Sequence, residues 1–171
     1  MLRQIITYPD KRLKLKSSEV EVFDEKLHTL LDDMYETMMS KNGIGLASIQ
    51  IAEPLNVLLI NLPNEDDKQL KEDLVEIINP KILEKKGSTL YTEGCLSVPE
   101  FYEDVQRAEW IKVEYQNRDG ERITCAYDGL MAIAFQHECD HLNGELFIEK
   151  LSFLKRKKFE KDWKKKLKGK K

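Results

Sequence analysis

The chain has 171 residues, 41% of them hydrophobic and 8% aromatic, with 28 Lys and Arg against 31 Asp and Glu for a formal net charge of −3. That length and balance fit one globular domain with a real core and exclude a disordered chain. No run of 18 apolar residues and no signal-type apolar stretch at the start occur, and the three cysteines have no pairing framework, so no membrane span and a reducing, cytoplasmic location are expected.

The first nine residues, ending in Tyr8-Pro9, are expected to be extended. Residues 24–40 are predicted to be a helix, because Leu27, Leu30, Leu31, Met34 and Met38 recur at helical spacing. Residues 56–61 and 74–79 read as short strands, and the polar stretch 63–73 between them reads as a solvated loop. Residues 110–116 and 121–127 read as two more strands flanking Asn117-Arg118-Asp119-Gly120, a good hairpin turn. Leu130, Met131, Ile133, Ala134 and Phe135 then open a buried helix that runs into Gln136-His137-Glu138-Cys139-Asp140-His141, and a basic amphipathic helix closes the chain. Strands grouped between helices predict an α+β fold, with antiparallel β-sheets packed around a central metal-binding helix and a C-terminal helix.

The chemistry is concentrated in the second helix. His137 and His141 lie four residues apart, about 40° around a helix axis, so both imidazoles face one side and can hold one metal ion. Glu138 lies about 100° from His137, within reach of a metal-bound water without being a ligand. This is the HExxH arrangement of metal-dependent hydrolases. Three fixed positions do arise by chance, but histidines and a carboxylate in an apolar helix need partners, because desolvating them is costly.

A catalytic metal usually takes three protein ligands and keeps one open position. The remaining histidine, His28, sits in the first predicted helix and reads as a residue with no metal role. The longer protease pattern HExxHxxGxxH is matched through Gly144 and then has Phe147 where its third histidine belongs. The third ligand is therefore expected to be a cysteine or a carboxylate. Cys139 lies about 200° around the helix from His137 and reads as packing. Cys125 ends a strand-like run and reads as a buried thiol. Cys95 follows Gly94 in Glu93-Gly94-Cys95-Leu96-Ser97-Val98-Pro99, where the glycine lets the backbone come close to another group. A His2Cys set is sound for a divalent metal. The competing role for Cys95, a catalytic nucleophile, needs a free histidine as base, and His137 and His141 are both committed.

Three segments together resemble the peptide deformylase family. They are Gly43-Ile44-Gly45-Leu46-Ala47-Ser48-Ile49-Gln50, the Glu93-to-Pro99 segment, and Gln136-His137-Glu138-Cys139-Asp140-His141-Leu142-Asn143-Gly144. The family patterns are GxGLAAxQ, EGCLS and QHExDHLxG in that order, and the one departure is Ser48 in place of the second alanine. The resemblance implies a metal-dependent hydrolase that removes the formyl group from the N-terminal methionine of nascent polypeptides. It implies Cys95, His137 and His141 as metal ligands and Glu138 as general acid and base. It also implies that Gln50 and the backbone N–H of Leu96 hold the formyl oxygen. Gly45, with Glu93 and Gly94, would meet the peptide, and Ile44, Leu130, Ile133, Ala134 and His137 would line the pocket for the methionine side chain. The metal implied is Fe2+ in cells, with Zn2+ or Ni2+ as substitutes.

Two further expectations concern charge. Asp140 lies about 100° from His141 on the side away from Glu138, so it is expected to support the site from behind, paired with Arg107. Residues 150–171 carry 12 Lys and Arg against two acidic residues, while residues 1–149 carry 16 against 29. The expected organisation is a catalytic unit over 1–150 and a basic helix over 151–171. Leu151, Leu154, Phe159, Trp163 and Leu167 form a rough apolar stripe on that helix, which suits an anionic partner, ribosomal RNA being favoured over an anionic membrane surface, or else packing on the enzyme's own surface. Two competing readings are an HExxH endopeptidase, which Phe147 and Cys95 oppose, and a non-enzymatic RNA- or ribosome-binding protein with a structural metal, which would need a fourth ligand.

Overall fold

The computed structural model describes residues 1–169; the last two residues of the expected basic tail, 170 and 171, lie outside the described residues. Helix α1 (Glu25–Ser40) starts where the Asp24 side chain accepts from the Leu27 N–H, capping a backbone donor that has no partner within the helix. Strands β1 (Gly45–Ala47), β2 (Val57–Ile60), β3 (Val75–Lys86), β6 (Trp110–Gln116) and β7 (Arg122–Asp128) form one sheet in the order β1-β2-β3-β6-β7, antiparallel throughout. Strands β4 (Thr89–Cys95) and β5 (Val98–Arg107) form a separate antiparallel hairpin. Helix α2 (Gly129–Leu142) follows β7, and helix α3 (Phe153–Gly169) ends the described chain.

The sheet is covered on both faces, and the alternation of β2 shows how. Val57 and Leu59 pack with Leu27, Leu31, Met34 and Met38 of α1, whereas Leu58 and Ile60 pack with Ala132, Phe135 and Leu142 of α2. A strand buried on both sides reads as a continuous apolar run, and Val-Leu-Leu-Ile is one. The helix α2 therefore lies at the centre of the molecule, as the sequence pattern required. A third apolar cluster joins the N-terminal segment, the hairpin and α3 through Ile6, Leu13, Val98, Val105, Phe147 and Phe159.

The structure departs from the sequence reading at several elements. The strand expected over 74–79 continues to Lys86, with register shifts on either side of Lys81 and Ile82 that carry it past Pro80. The hairpin over 89–107 was not anticipated. Of its residues only Glu93, Ser97, Val98, Val105 and Arg107 are buried, so it shows no alternation of apolar side chains. Strand β1 is too short to show a period. In the tail, Phe159 is 2% exposed and meets Phe101 edge-on at 4.5 Å and Tyr8 at 5.3 Å, while Trp163 meets Tyr8 at 5.2 Å. Leu154 and Leu167 remain exposed, so only part of the expected stripe is used for packing. Among the described residues no helix is long and apolar enough to cross a membrane.

Candidate metal centre

Helix α2 buries Gln136, His137, Glu138 and His141 together with its apolar residues. Gln136 shows how the helix is fixed. Its amide donates to the carbonyls of Ala108 and Ala132 at 3.0 and 2.9 Å, and its oxygen accepts from the Ala108 N–H at 3.1 Å. That ties the helix to the residue just after β5. From the other side, Cys95 lies at the closed end of the hairpin, opposite Val98. Gly94 is needed there because the Tyr102 ring occupies the space where a Cβ would stand.

Cys95, His137 and His141 offer ligand atoms that all lie within 4.8 Å of one another. Cys95 Sγ is 3.3 Å from His141 Nε2, and the two imidazole rings are 5.0 Å apart, edge to face. Such a thiolate and two imidazoles can hold a divalent transition metal. His28 is elsewhere engaged, bonded to the Arg118 carbonyl at 2.9 Å. Cys125 and Cys139 pack against the core cluster, each only partly buried rather than the buried thiol expected at Cys125.

Buried charges behind the ligands hold them in place. Glu93 accepts from Arg107 through both oxygens at 2.8 Å, and its Oε1 is 2.7 Å from His137 Nδ1. That contact turns His137 Nε2 toward the ligand cluster. Arg107 also donates to Asp140 at 2.5 Å, so the expected pair is present. Arg107 spans the hairpin and the helix, joining Glu93 to Asp140. Burial raises the Glu93 pKa, but Arg107 and His137 outweigh it and hold the carboxyl down at about 2. Burial lowers the Arg107 pKa, but Glu93 and Asp140 carry the net shift upward. For His137, burial is outweighed by Cys95 and Glu93 and the net shift is upward, whereas burial and His137 drive His141 downward and keep it neutral. Neutral imidazole is the form that binds a metal.

Glu138 is buried, with Oε1 3.9 Å from His137 Nε2 and Oε2 without a hydrogen-bond partner among the described residues. Burial pushes its pKa up to about 7. A carboxylate at this value can both accept and return a proton near neutrality. Gly45 presses on it: a Cβ there would meet Glu138 Oε1 at 2.8 Å. Gln50 is equally fixed. Its oxygen accepts from the Ala47 N–H at 2.9 Å, and its amide nitrogen donates to Ser97 Oγ at 3.0 Å and lies 3.5 Å from Cys95 Sγ.

These groups open on a cleft of about 1050 Å3. Ile44, Gly45, Gly94, Leu130, Ile133 and Ala134 line it, as do Gln50, Glu93, Cys95, Leu96, His137 and Glu138. Arg107, Asp140 and His141 are not among the lining residues. Not foreseen from the sequence are further lining residues, Leu2 to Ile5 and Thr7 of the N-terminal segment and Tyr91, Pro99, Glu100 and Tyr102 of the hairpin. The sequence reading also missed Ser97 as the partner of Gln50, although Ser97 stands two residues after Cys95 in the same motif.

The polypeptide deformylase family model matches residues 2–157. A peptide deformylase of Helicobacter pylori strain P12 is 60% identical over 163 residues, which span 95% of this chain and 94% of that protein. Among solved structures, a peptide deformylase from Legionella pneumophila superposes with a TM-score of 0.88 at 39% identity, covering 100% of this chain and 99% of that one. A class I type b peptide deformylase from Acinetobacter baumannii, solved with Met-Ala-Ser bound, superposes with a TM-score of 0.82 at 34% identity, covering 88% and 99%. Near-complete coverage in both sequence and fold places this chain in the peptide deformylase family.

Proposed function

We propose that this chain removes the formyl group from the N-terminal methionine of nascent polypeptides, with Cys95, His137 and His141 holding one divalent metal and Glu138 moving the protons. The observation that carries this reading is the convergence of three ligand atoms beside a buried carboxylate with one oxygen unpartnered. The metal, when bound, supplies Lewis acidity that brings the pKa of a coordinated water toward neutrality. Glu138 accepts a proton as water adds to the formyl carbon. The Gln50 amide, aimed by Ala47 and Ser97, and the Leu96 N–H donate to the formyl oxygen as negative charge gathers there. Glu138 then delivers its proton to the leaving amine, the carbon–nitrogen bond breaks, and formate departs. Ile44, Leu130, Ile133 and Ala134 seat the methionine side chain, while Gly45, Glu93 and Gly94 border the peptide. The Glu93 carboxylate itself serves Arg107 and His137, so its part is to aim His137.

Fe2+ is the metal of this reading, with Zn2+ or Ni2+ as substitutes, since a His2Cys set does not choose among them by ligand type alone. Residues 1–150 form the catalytic unit of a cytoplasmic enzyme, and residues 151–171 are its basic tail, whose described part, through residue 169, is held to it by Phe159 and Trp163. Lys157, Lys158, Lys161, Lys164 and Lys165 are exposed, which suits docking on ribosomal RNA. The test is anaerobic purification followed by metal analysis and an assay of formate release from formyl-Met-Ala-Ser. One iron per chain with turnover is expected; metal-free protein with full turnover would overturn the reading.

A further inference from the structure

Strand β1 is the edge of the five-stranded sheet and pairs only with β2. The Ile44 carbonyl accepts from the Asn61 N–H at 2.8 Å, on the β2 side. Backbone groups alternate in direction along a strand, so the N–H and C=O of Gly45 face the open edge, where Gly45 lines the cleft. An open edge of this kind takes up an extended peptide as an added strand. Three residues with one neighbour do not hold such an edge in register by themselves. One end is fixed by Gln50, whose oxygen accepts from the Ala47 N–H.

The other end is fixed by a residue from the polar stretch that the sequence reads as solvated loop. Gln69 Nε2 donates to the Gly43 carbonyl at 2.9 Å and to the Asn61 carbonyl at 2.8 Å. One amide thus joins the entry of β1 to the exit of β2. The loop that carries it is tied in turn, because Asn61 Nδ2 donates to the Leu70 carbonyl at 2.9 Å. Gln69 does not line the cleft, so it reaches a bound peptide only through β1. The tolerance of β1 is small, since Gly45 abuts Glu138.

We propose that Gln69 is a positioning residue for peptide binding, holding the entry of the edge strand β1 as Gln50 holds its exit. This rests on the reading that the substrate lies along β1. Gln69→Leu keeps the volume and removes both donors. It should raise KM for formyl-Met-Ala-Ser about fivefold, the loss of about one neutral hydrogen bond, with kcat within about twofold. Formylmethionine, which has no following residues to lie along β1, should lose less than about twofold. Metal content should be unchanged, and hydrogen exchange at the Asn61 amide should quicken. Gln69→Asn, whose shorter amide cannot span both carbonyls, should fall between wild type and Gln69→Leu. An unchanged tripeptide KM, equal losses on both substrates, or a lowered melting temperature with unchanged KM would overturn the proposal. Absence of formate release from the wild-type protein run alongside would instead overturn the deformylase reading, and this inference with it.

Discussion

Helix α2 and the β4–β5 hairpin meet at the same three ligands but are held by opposite means. The helix packs Ala132, Phe135 and Leu142 against Leu58, Ile60, Ile111 and Val113 of the sheet and owes its place largely to apolar packing. The hairpin is largely exposed and reaches the helix through Arg107, Glu93 and Asp140. Apolar packing is non-directional and tolerant of pH. Buried ion pairs are directional, and removing one partner leaves a desolvated charge behind. The hairpin side of the site should therefore be the fragile side, to both mutation and acid.

The largest expected effect falls on the helix and on chemistry alone. Glu138→Gln should retain metal and lose about 10²- to 10⁴-fold in kcat, because the amide cannot accept the water proton. Retention of more than about a tenth of wild-type kcat would contradict that role. On the hairpin side, Arg107→Ala strands two carboxylates. It should destabilise the fold by about 3–5 kcal/mol in denaturant unfolding and weaken metal binding about 10- to 100-fold in competition with a chelator. An unfolding midpoint equal to wild type would show that the hairpin is held otherwise.

Acid should dissect the same contrast. The Glu93 carboxyl is at about 2 in the folded protein against 4.5 when unperturbed. A depressed folded pKa contributes stability that is present above the unfolded value and lost as pH falls through the folded one. Its contribution, on the order of 3 kcal/mol, should thus be intact above pH 4.5 and disappear toward pH 2. Glu93→Gln should flatten that part of the stability profile; an unchanged acid limb would locate the acid sensitivity elsewhere. The smallest effect on stability is expected in the tail. Replacing Lys157, Lys158, Lys161, Lys164 and Lys165 by Gln should move stability by less than about 0.5 kcal/mol each and leave peptide hydrolysis intact. Salt-sensitive co-sedimentation with ribosomes should be lost. Undiminished co-sedimentation at low salt would remove the docking role.

How much of this was legible in the sequence follows from the same contrast. Helix α2 announces itself locally, through apolar periodicity and the two histidines four apart. The Arg107–Asp140 pair could be reached from a helical angle and one arginine in a strand-like run. The grip of Arg107 on Glu93 could not, because it crosses a hairpin whose exposed, mixed side chains carry no alternation. Gln69 sits in PNEDDKQLKED, where composition speaks for solvent, and only the fold brings its amide to Gly43. In the tail the basic apolar stripe was visible, but not that Phe159 and Trp163 pack on Tyr8 while Leu154 stays in solvent. Which side chains of such a stripe find a partner depends on where the body ends.

The central claim is that hairpin and helix close on one metal, with Cys95 as the ligand from the hairpin. Cobalt substitution tests it most directly, because thiolate ligation gives a sulfur-to-metal charge-transfer absorption that imidazole ligation does not. The wild-type protein should bind one cobalt per chain and show that absorption, and Cys95→Ser should lose the absorption and bind the metal more weakly. Stoichiometric, tightly bound cobalt with unchanged charge-transfer absorption in Cys95→Ser would contradict the account.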